Sequence, residues 1–272
     1  MARVIDDRAG QPGVLVRIGQ GLARWSLVIG LFVLWDVLSR SGAFTPFMLP
    51  SPESVIERIW RDATRGDLFI SLGLTLYRAL TGFFIAATLG VLIGLVMSRN
   101  AAARWFFDPV ISVGFPMPKI TFLPVIVLWL GFYDTAKISM VVFDAIFPVI
   151  TGTLVGMQAV EKELLWSARN MGAKEGELLW QVMLPAASPQ IMTGLQVSLP
   201  IAVIVAIVAE MLMGGYGIGG DMSQASRMAD SRGVFAGIVE IAVVGWFLVK
   251  GMSLARRRLL AWHPEADASK SV

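Results

Sequence analysis

The chain has 272 residues, of which 56% are hydrophobic and only 16% are charged, and its formal net charge is +3. Soluble domains usually carry about 25% charged residues, so this deficit predicts that lipid surrounds much of the protein. Cysteine is absent and His263 is the single histidine. This composition excludes disulfides, thiolate metal sites, multi-histidine metal centres and histidine-based catalytic triads.

The first predicted elements are a tail at residues 1–21, a membrane span at 22–38 that contains Asp36, and a short amphipathic helix. The helix begins at Ser51-Pro52-Glu53, which reads as an N-cap, a first-turn proline and a first-turn acid. Four apolar residues follow on one predicted face, namely Val55, Ile56, Ile59 and Trp60. We expect this helix to pack against the bundle on its outer side, with contact to a partner as the alternative.

Three more spans follow. The span at 79–98 is uncharged, and its Gly82, Gly90 and Gly94 would permit close helix approach. The span at 109–132 contains Lys119 and three prolines, which predict a broken entry segment and then a helix from about Thr121. The span at 138–155 carries Asp144. Irregular backbone at membrane depth is tolerated only against protein or a watery cavity.

The loop at 157–188 is too polar for lipid and too regular for a linker. Leu164, Leu165, Ala168 and Met171 recur at helical spacing, and Gly172 follows where a helix end favours the left-handed conformation. A second short helix is predicted to stop at Leu184-Pro185. The loop is therefore either an ordinary connection or a docking element.

The fifth span is predicted at 189–211, with Ser188 as N-cap and a kink at Pro200. Glu210 at its outer end has three interpretations: it lines a gate, it pairs with Arg78, or it is a solvated acid. The glycines from Gly215 to Gly220 fit G-x-G-x-x-G, but no strand precedes them, so an outer turn is favoured over a nucleotide site. The sixth span, 234–250, contains Glu240.

These elements predict an all-α membrane protein with a six-helix transmembrane bundle, built as one domain at 22–255 and a tail at 256–272. Six spans place both termini on one side. Lys and Arg are in two-to-one excess on that side, which predicts that both termini are cytoplasmic. The run Arg256-Arg257-Arg258 is interpreted as a membrane anchor, not as a nucleic-acid site.

One stretch of the 157–188 loop resembles a known family. The "EAA" loop of permease subunits in bacterial binding-protein-dependent ABC importers is similar in spacing to Trp166-Ser167-Ala168-Arg169-Asn170-Met171-Gly172, followed after nine residues by Val182-Met183-Leu184-Pro185. Trp166 stands where the family usually has Glu. Flanking segments extend the resemblance to the sulfonate, taurine and nitrate branch, and they lie at 49–52, 116–131, 209–210 and 257–262.

The resemblance implies a permease of the type I importer kind in the bacterial inner membrane. Its expected partners are a pair of cytosolic ATP-binding subunits, a second permease copy or paralogue, and a periplasmic or lipid-anchored substrate-binding protein. The expected solute is a small organic anion. The contact with the ATP-binding subunit would comprise Trp166, Ser167, Ala168, Arg169, Asn170, Met171, Gly172, Ala173, Lys174 and Glu175.

The chain has no G-x-x-x-x-G-K-[ST] loop, so we expect it to bind no cofactor and the partner subunit to use the ATP. Candidate pathway or gate residues are Trp129, Pro200 and Glu210, although packing within the bundle is the favoured role of Trp129. Two other classes remain as alternatives. A secondary transporter or channel would work without an ATPase, and an intramembrane enzyme would need a pair of carboxylates.

Overall fold

The computed structural model describes the backbone of residues 14–262 and the side chains of residues 26–262. The described helices are α1 (Val14–Arg40), α2 (Pro52–Arg65), α3 (Asp67–Arg99), α4 (Ala101–Gly114), α5 (Leu123–Leu130), α6 (Asp134–Gln158), α7 (Lys162–Asn170), α8 (Glu175–Met213), α9 (Ile218–Arg227) and α10 (Ser231–Leu259). No strand occurs between residues 14 and 262. The prediction of an all-α membrane protein is therefore confirmed.

Four helices, α3, α6, α8 and α10, are long and apolar enough to cross a membrane. A fifth crossing is possible if α4 and the segment Lys119–Leu130 form one bent span. The first predicted span, 22–38, lies in α1, where the side chains of residues 14–25 are outside the described residues. The count of six spans stays a prediction.

The third predicted span is broken. Helix α4 begins at Ala101, where the Asn100 side chain caps the N–H groups of Ala102 and Ala103, and it ends at Gly114. A single 3₁₀ turn, Lys119–Phe122, then leads into α5, and the two halves are bent by 97°. Pro116 and Pro118 lie in the break, since proline cannot donate the hydrogen bonds that would continue a helix.

Helix α8 is the largest departure from the sequence-based expectation. The second helix of the 157–188 loop was expected to stop at Leu184-Pro185, and the fifth span to start after an N-cap at Ser188. Both expectations are wrong, because one helix of 39 residues runs from Glu175 to Met213. Its Leu178–Met183 segment is π-helical, and the N–H of Leu184 donates to Leu179 O, five residues back. Pro185 then falls in the first turn of α-helix, where no N–H is needed.

The core forms where α3, α6 and α8 meet over small residues. A Cβ atom built on Gly82 would lie 2.5 Å from Val141 Cγ1, and one on Gly90 would lie 2.7 Å from Val149 Cβ. On the other side of α6, a Cβ on Gly152 would lie 2.9 Å from the Cα of Gly194. The predicted close approach at the glycines of α3 is thus confirmed.

Helix α2 has the predicted cap, because Ser51 Oγ accepts a hydrogen bond from the N–H of Ser54 and Pro52 opens the helix. Its predicted apolar face is only partly correct. Val55 is buried, whereas Ile56 and Trp60 are exposed. Arg58 forms an ion pair with Asp230, the N-cap of α10, and this contact fixes the side of α2 that faces the bundle.

Candidate functional site

The turn between α7 and α8 is a tightly bonded elbow, which we define as residues 162–177. The N–H of Ala173 donates to Ala168 O at 3.0 Å, and the N–H of Gly172 donates to Arg169 O at 2.9 Å. This pair of bonds is a Schellman motif with Gly172 at the residue that must be left-handed. Its φ is +91°, as the sequence predicts.

Ion pairs attach the elbow to the end of α3. One oxygen of the Glu175 carboxylate lies 3.1 Å from Arg169 Nη2 on α7, and the other lies 3.0 Å from Arg99 Nη2 on α3. Arg99 Nη1 also donates to the backbone oxygen of Glu175 at 3.3 Å. These groups are partly exposed, so each pair contributes only about 0–1 kcal/mol. Together they define the direction in which the elbow leaves the bundle.

The ten predicted contact residues lie together on the elbow, and most of their side chains are exposed. Trp166 is 57% exposed and Met171 is 80% exposed, whereas Ala168 is buried against the rest of the elbow. Lys174 is the N-cap of α8, and its backbone N–H donates to the Glu177 carboxylate at 2.8 Å. An exposed tryptophan and methionine beside charged groups are typical of a surface that binds a partner.

The Met213 end of α8 contains a buried ion pair. Glu210 is 0% exposed, and its Oε1 lies 2.6 Å from Nη1 of Arg78, which is 4% exposed. Thr75 Oγ1 donates to the same carboxylate at 2.9 Å, and the Nη2 atom of Arg78 lies 2.8 Å from Asp134 Oδ1. Of the three interpretations of Glu210, the pairing with Arg78 is confirmed and the solvated acid is wrong.

The other two pathway candidates lie on α5 and α8. Trp129 is 76% exposed on α5, so its predicted packing within the bundle is wrong for the single chain. Its ring lies on an exposed apolar face together with Leu128. Pro200 lies inside α8 and is partly buried, and the helix continues through it.

A second intramembrane ion pair was not anticipated. Lys119, in the 3₁₀ turn, places its Nζ 2.9 Å from Asp144 Oδ1 on α6 and 4.7 Å from the centre of the Phe147 ring. Its Nζ also donates to Phe115 O at 3.2 Å. The sequence signal was present, because each residue is a lone charge within an apolar span and such charges need a partner.

A pocket with several charged lining residues lies between α2, α3, α9 and α10. Its charged lining residues are Arg58, Asp62, Asp67, Asp221, Asp230 and Glu240. Burial raises the pKa of Asp221 on α9, and the nearby carboxylates of Asp62 and Asp67 raise it further, against the hydrogen bond from Ser71 and the charge of Arg58. No cluster of metal-ligating side chains occurs among residues 26–262, whose side chains the structure describes.

Long apolar helices, close glycine contacts and a polar elbow outside the apolar segments define an integral membrane protein. A family model described as "binding-protein-dependent transport system inner membrane component" matches residues 86–259. The chain belongs to this family of importer subunits.

Two curated relatives refine the family. The taurine transport system permease protein TauC of Escherichia coli is 30% identical over 245 residues, which cover 87% of this chain and 88% of that protein. The putative aliphatic sulfonates transport permease protein SsuC of Bacillus subtilis is 31% identical over 254 residues, covering 91% and 92%. The chain is thus an ABC importer permease of the taurine and sulfonate branch, and a transport subunit instead of an enzyme.

A solved structure supports the fold alone. The crystal structure of an amino acid ABC transporter with histidines aligns with a TM-score of 0.54 and 21% identity, over 74% of this chain and 98% of that chain. The family and the curated relatives, and not this likeness, make the chain an inner-membrane component that works with ATP-binding and substrate-binding partners.

Proposed function

We propose that this permease is driven by a separate pair of cytosolic ATP-binding subunits that hold it through the loop at 157–188, with the elbow as the contact. The observation that carries the proposal is the continuity of α8. The helix that begins at Glu175 in the elbow is the same helix that crosses the membrane region to Met213. A displacement of the elbow therefore passes into the bundle without a flexible joint.

The proposed orientation places the elbow and both termini in the cytoplasm. The excess of Lys and Arg on that side supports it, including the three arginines in the last turn of α10. The glycine-rich segment after α8 and the outer ends of α3 and α6 then face the periplasm, where a substrate-binding protein would deliver the solute.

We propose that two permease chains form the pathway and that the solute is a small organic anion such as a sulfonate. The names of the relatives support the solute class. The expectation of two chains comes from the family resemblance, and we propose the exposed apolar face of α5, with Leu128 and Trp129, as part of their contact. This chain binds no cofactor, and the partner subunits use the ATP.

Copurification tests the coupling proposal. The permease is purified with its candidate ATP-binding subunit, and the parent is compared with Gly172→Pro and with a deletion of residues 167–175. We expect both changes to release the ATP-binding subunit while the permease stays in the membrane fraction. Retention of that subunit by the deletion variant would contradict the assignment of the site.

Thiol labelling tests the orientation, because the chain has no native cysteine. Ser167→Cys should react with a membrane-impermeant maleimide only in inside-out vesicles. The matched control, Tyr216→Cys, is exposed on the opposite end and should react only in intact cells or right-side-out vesicles. The reverse pattern would invert the topology.

A further inference from the structure

The segment after α8, which we call the glycine loop (residues 214–219), is fixed to the buried ion pair. We propose that Arg78 and Glu210 are positioning residues for transport, which hold the glycine loop to the outer end of α8 so that loop and helix move as one body. This inference rests on the proposed function, since it concerns what happens at the outer end when the elbow moves.

The ion pair holds the loop through both of its members. The N–H of Gly219 donates to Glu210 Oε2 at 3.1 Å, and Arg78 Nη1 donates to the backbone oxygen of Tyr216 at 2.6 Å. The N–H of Ile218 donates to Thr75 Oγ1 at 3.0 Å, and the same hydroxyl donates to Glu210. Three residues of the glycine loop, Tyr216, Ile218 and Gly219, are thus bonded to the Arg78 guanidinium, the Thr75 hydroxyl and the Glu210 carboxylate.

Helix α6 contributes a further attachment. Lys137 is buried, and its Nζ donates to the backbone oxygen of Gly214 at 2.9 Å. The cluster then contains two cations, Arg78 and Lys137, and two acids, Glu210 and Asp134. The two positive charges thus lie beside two acidic groups, so that no member of the cluster is left without a partner of opposite sign.

The backbone of the glycine loop packs closely against the Glu210 carboxylate. Gly217 has a φ of +128°, and a Cβ atom there would lie 2.5 Å from Glu210 Cδ. A Cβ on Gly219 would lie 2.3 Å from the backbone oxygen of Ile207 on α8. Only glycine permits this approach, so the loop is packed against the helix as well as hydrogen-bonded to it.

Glu210 and Glu175 lie near opposite ends of α8. The elbow is bonded at one end through Glu175, and the glycine loop is bonded at the other through Glu210. The loop should therefore keep its place on α8 in every state of the cycle, whichever way the elbow moves.

Spin-label distances test this inference in the full transporter reconstituted in lipid nanodiscs. The labels are attached at Leu212→Cys, exposed at the end of α8, and Gln224→Cys, exposed on α9. We expect one distance population that is the same without nucleotide and after trapping with ATP and vanadate. A shift of that distance between the two states would overturn the inference.

Variants separate positioning from simple stability. Glu210→Gln keeps the shape and loses the charge, and Thr75→Val removes the hydroxyl with little change of volume. We expect each to add a second, longer distance population, whereas the control Asp36→Asn, on an exposed acid paired with Arg40, adds none. If the folded variants lose thermal stability but keep one narrow population, the role is only structural and the inference fails.

The two proposals fail in different ways. Loss of the proposed function would show as absence of a bound ATP-binding subunit in the parent preparation. The comparison of the parent with Thr75→Val in the permease alone would then still decide whether the cluster holds the loop. A single narrow population in both would overturn the inference irrespective of the ATPase.

Discussion

The left-handed residue of the elbow gives a sharp test of the coupling site. Gly172 and Gly176 are both exposed, and a Cβ atom on either would meet nothing within 4 Å. They differ in backbone conformation, since Gly172 has a φ of +91° and Gly176 lies in the first turn of α8. Gly172→Ala and Gly176→Ala are therefore a matched pair. Neither new methyl group meets a neighbouring atom, so the two variants differ only in the backbone strain at position 172.

The expected magnitude follows from the backbone alone. A non-glycine residue in the left-handed region costs about 1–2 kcal/mol, while the lost freedom of the unfolded chain returns about 0.4–1 kcal/mol. The net loss for Gly172→Ala is about 1 kcal/mol, which is roughly a fivefold fall in the ratio of closed to open turn. In a helix, glycine to alanine stabilises by about 0.5–1 kcal/mol, so Gly176→Ala should have the opposite sign.

The assay is the affinity of purified ATP-binding subunits for the permease in nanodiscs. Gly172→Ala should weaken binding by up to about fivefold, because the apparent affinity falls with the fraction of permease whose turn is closed. Gly172→Asn should recover part of the affinity, because Asn tolerates the left-handed conformation better than Ala. Equal affinities for Gly172→Ala and Gly176→Ala would refute the reasoning, since they would show that binding does not depend on the turn.

Three further predictions concern stability, measured as the apparent Tm in detergent. Gly90→Ala should destabilise by about 1–3 kcal/mol through its clash with Val149, whereas Gly73→Ala, which faces open space on the same helix, should not; equal effects would contradict the packing. Ala229 has a φ of 56°, so Ala229→Gly should raise the free energy of unfolding by about 1 kcal/mol. A lower Tm for this variant would contradict the prediction. Burial raises the pKa of Asp221, so the native state loses stability as the pH rises through that pKa. Asp221→Asn removes this loss and should therefore raise the Tm at neutral pH. In acid, where Asp221 is protonated, the Tm of the variant and of the parent should be equal. A gain that grows in acid would be inconsistent with the sign.

Local signals in the sequence predicted local structure well. The N-cap at Ser51, the proline at position 52 and the left-handed Gly172 each depend on neighbouring residues only, and all three are present. The glycines of α3 also predicted close packing, because their spacing along one helix is enough to indicate a smooth face.

Features that depend on distant residues were harder to predict. Pro185 and Pro189 indicated a helix boundary, yet the π-helical segment before them shifts the hydrogen bonds so that α8 continues. The burial of Glu210 depends on Arg78, which is 132 positions earlier in the chain. The exposure of Trp129 depends on how the bent segment 101–130 lies against α6, which a single sequence does not specify.

The length of α8 has a geometrical consequence. Its 39 residues at 1.5 Å per residue extend for about 58 Å, roughly twice the 30 Å thickness of the hydrocarbon core. If the rod pivots near its midpoint, a rotation of about 5° displaces each tip by roughly 2.5 Å. A rigid rotation of α8, which breaks none of its backbone hydrogen bonds, is thus enough to open or close a gap about as wide as a water molecule.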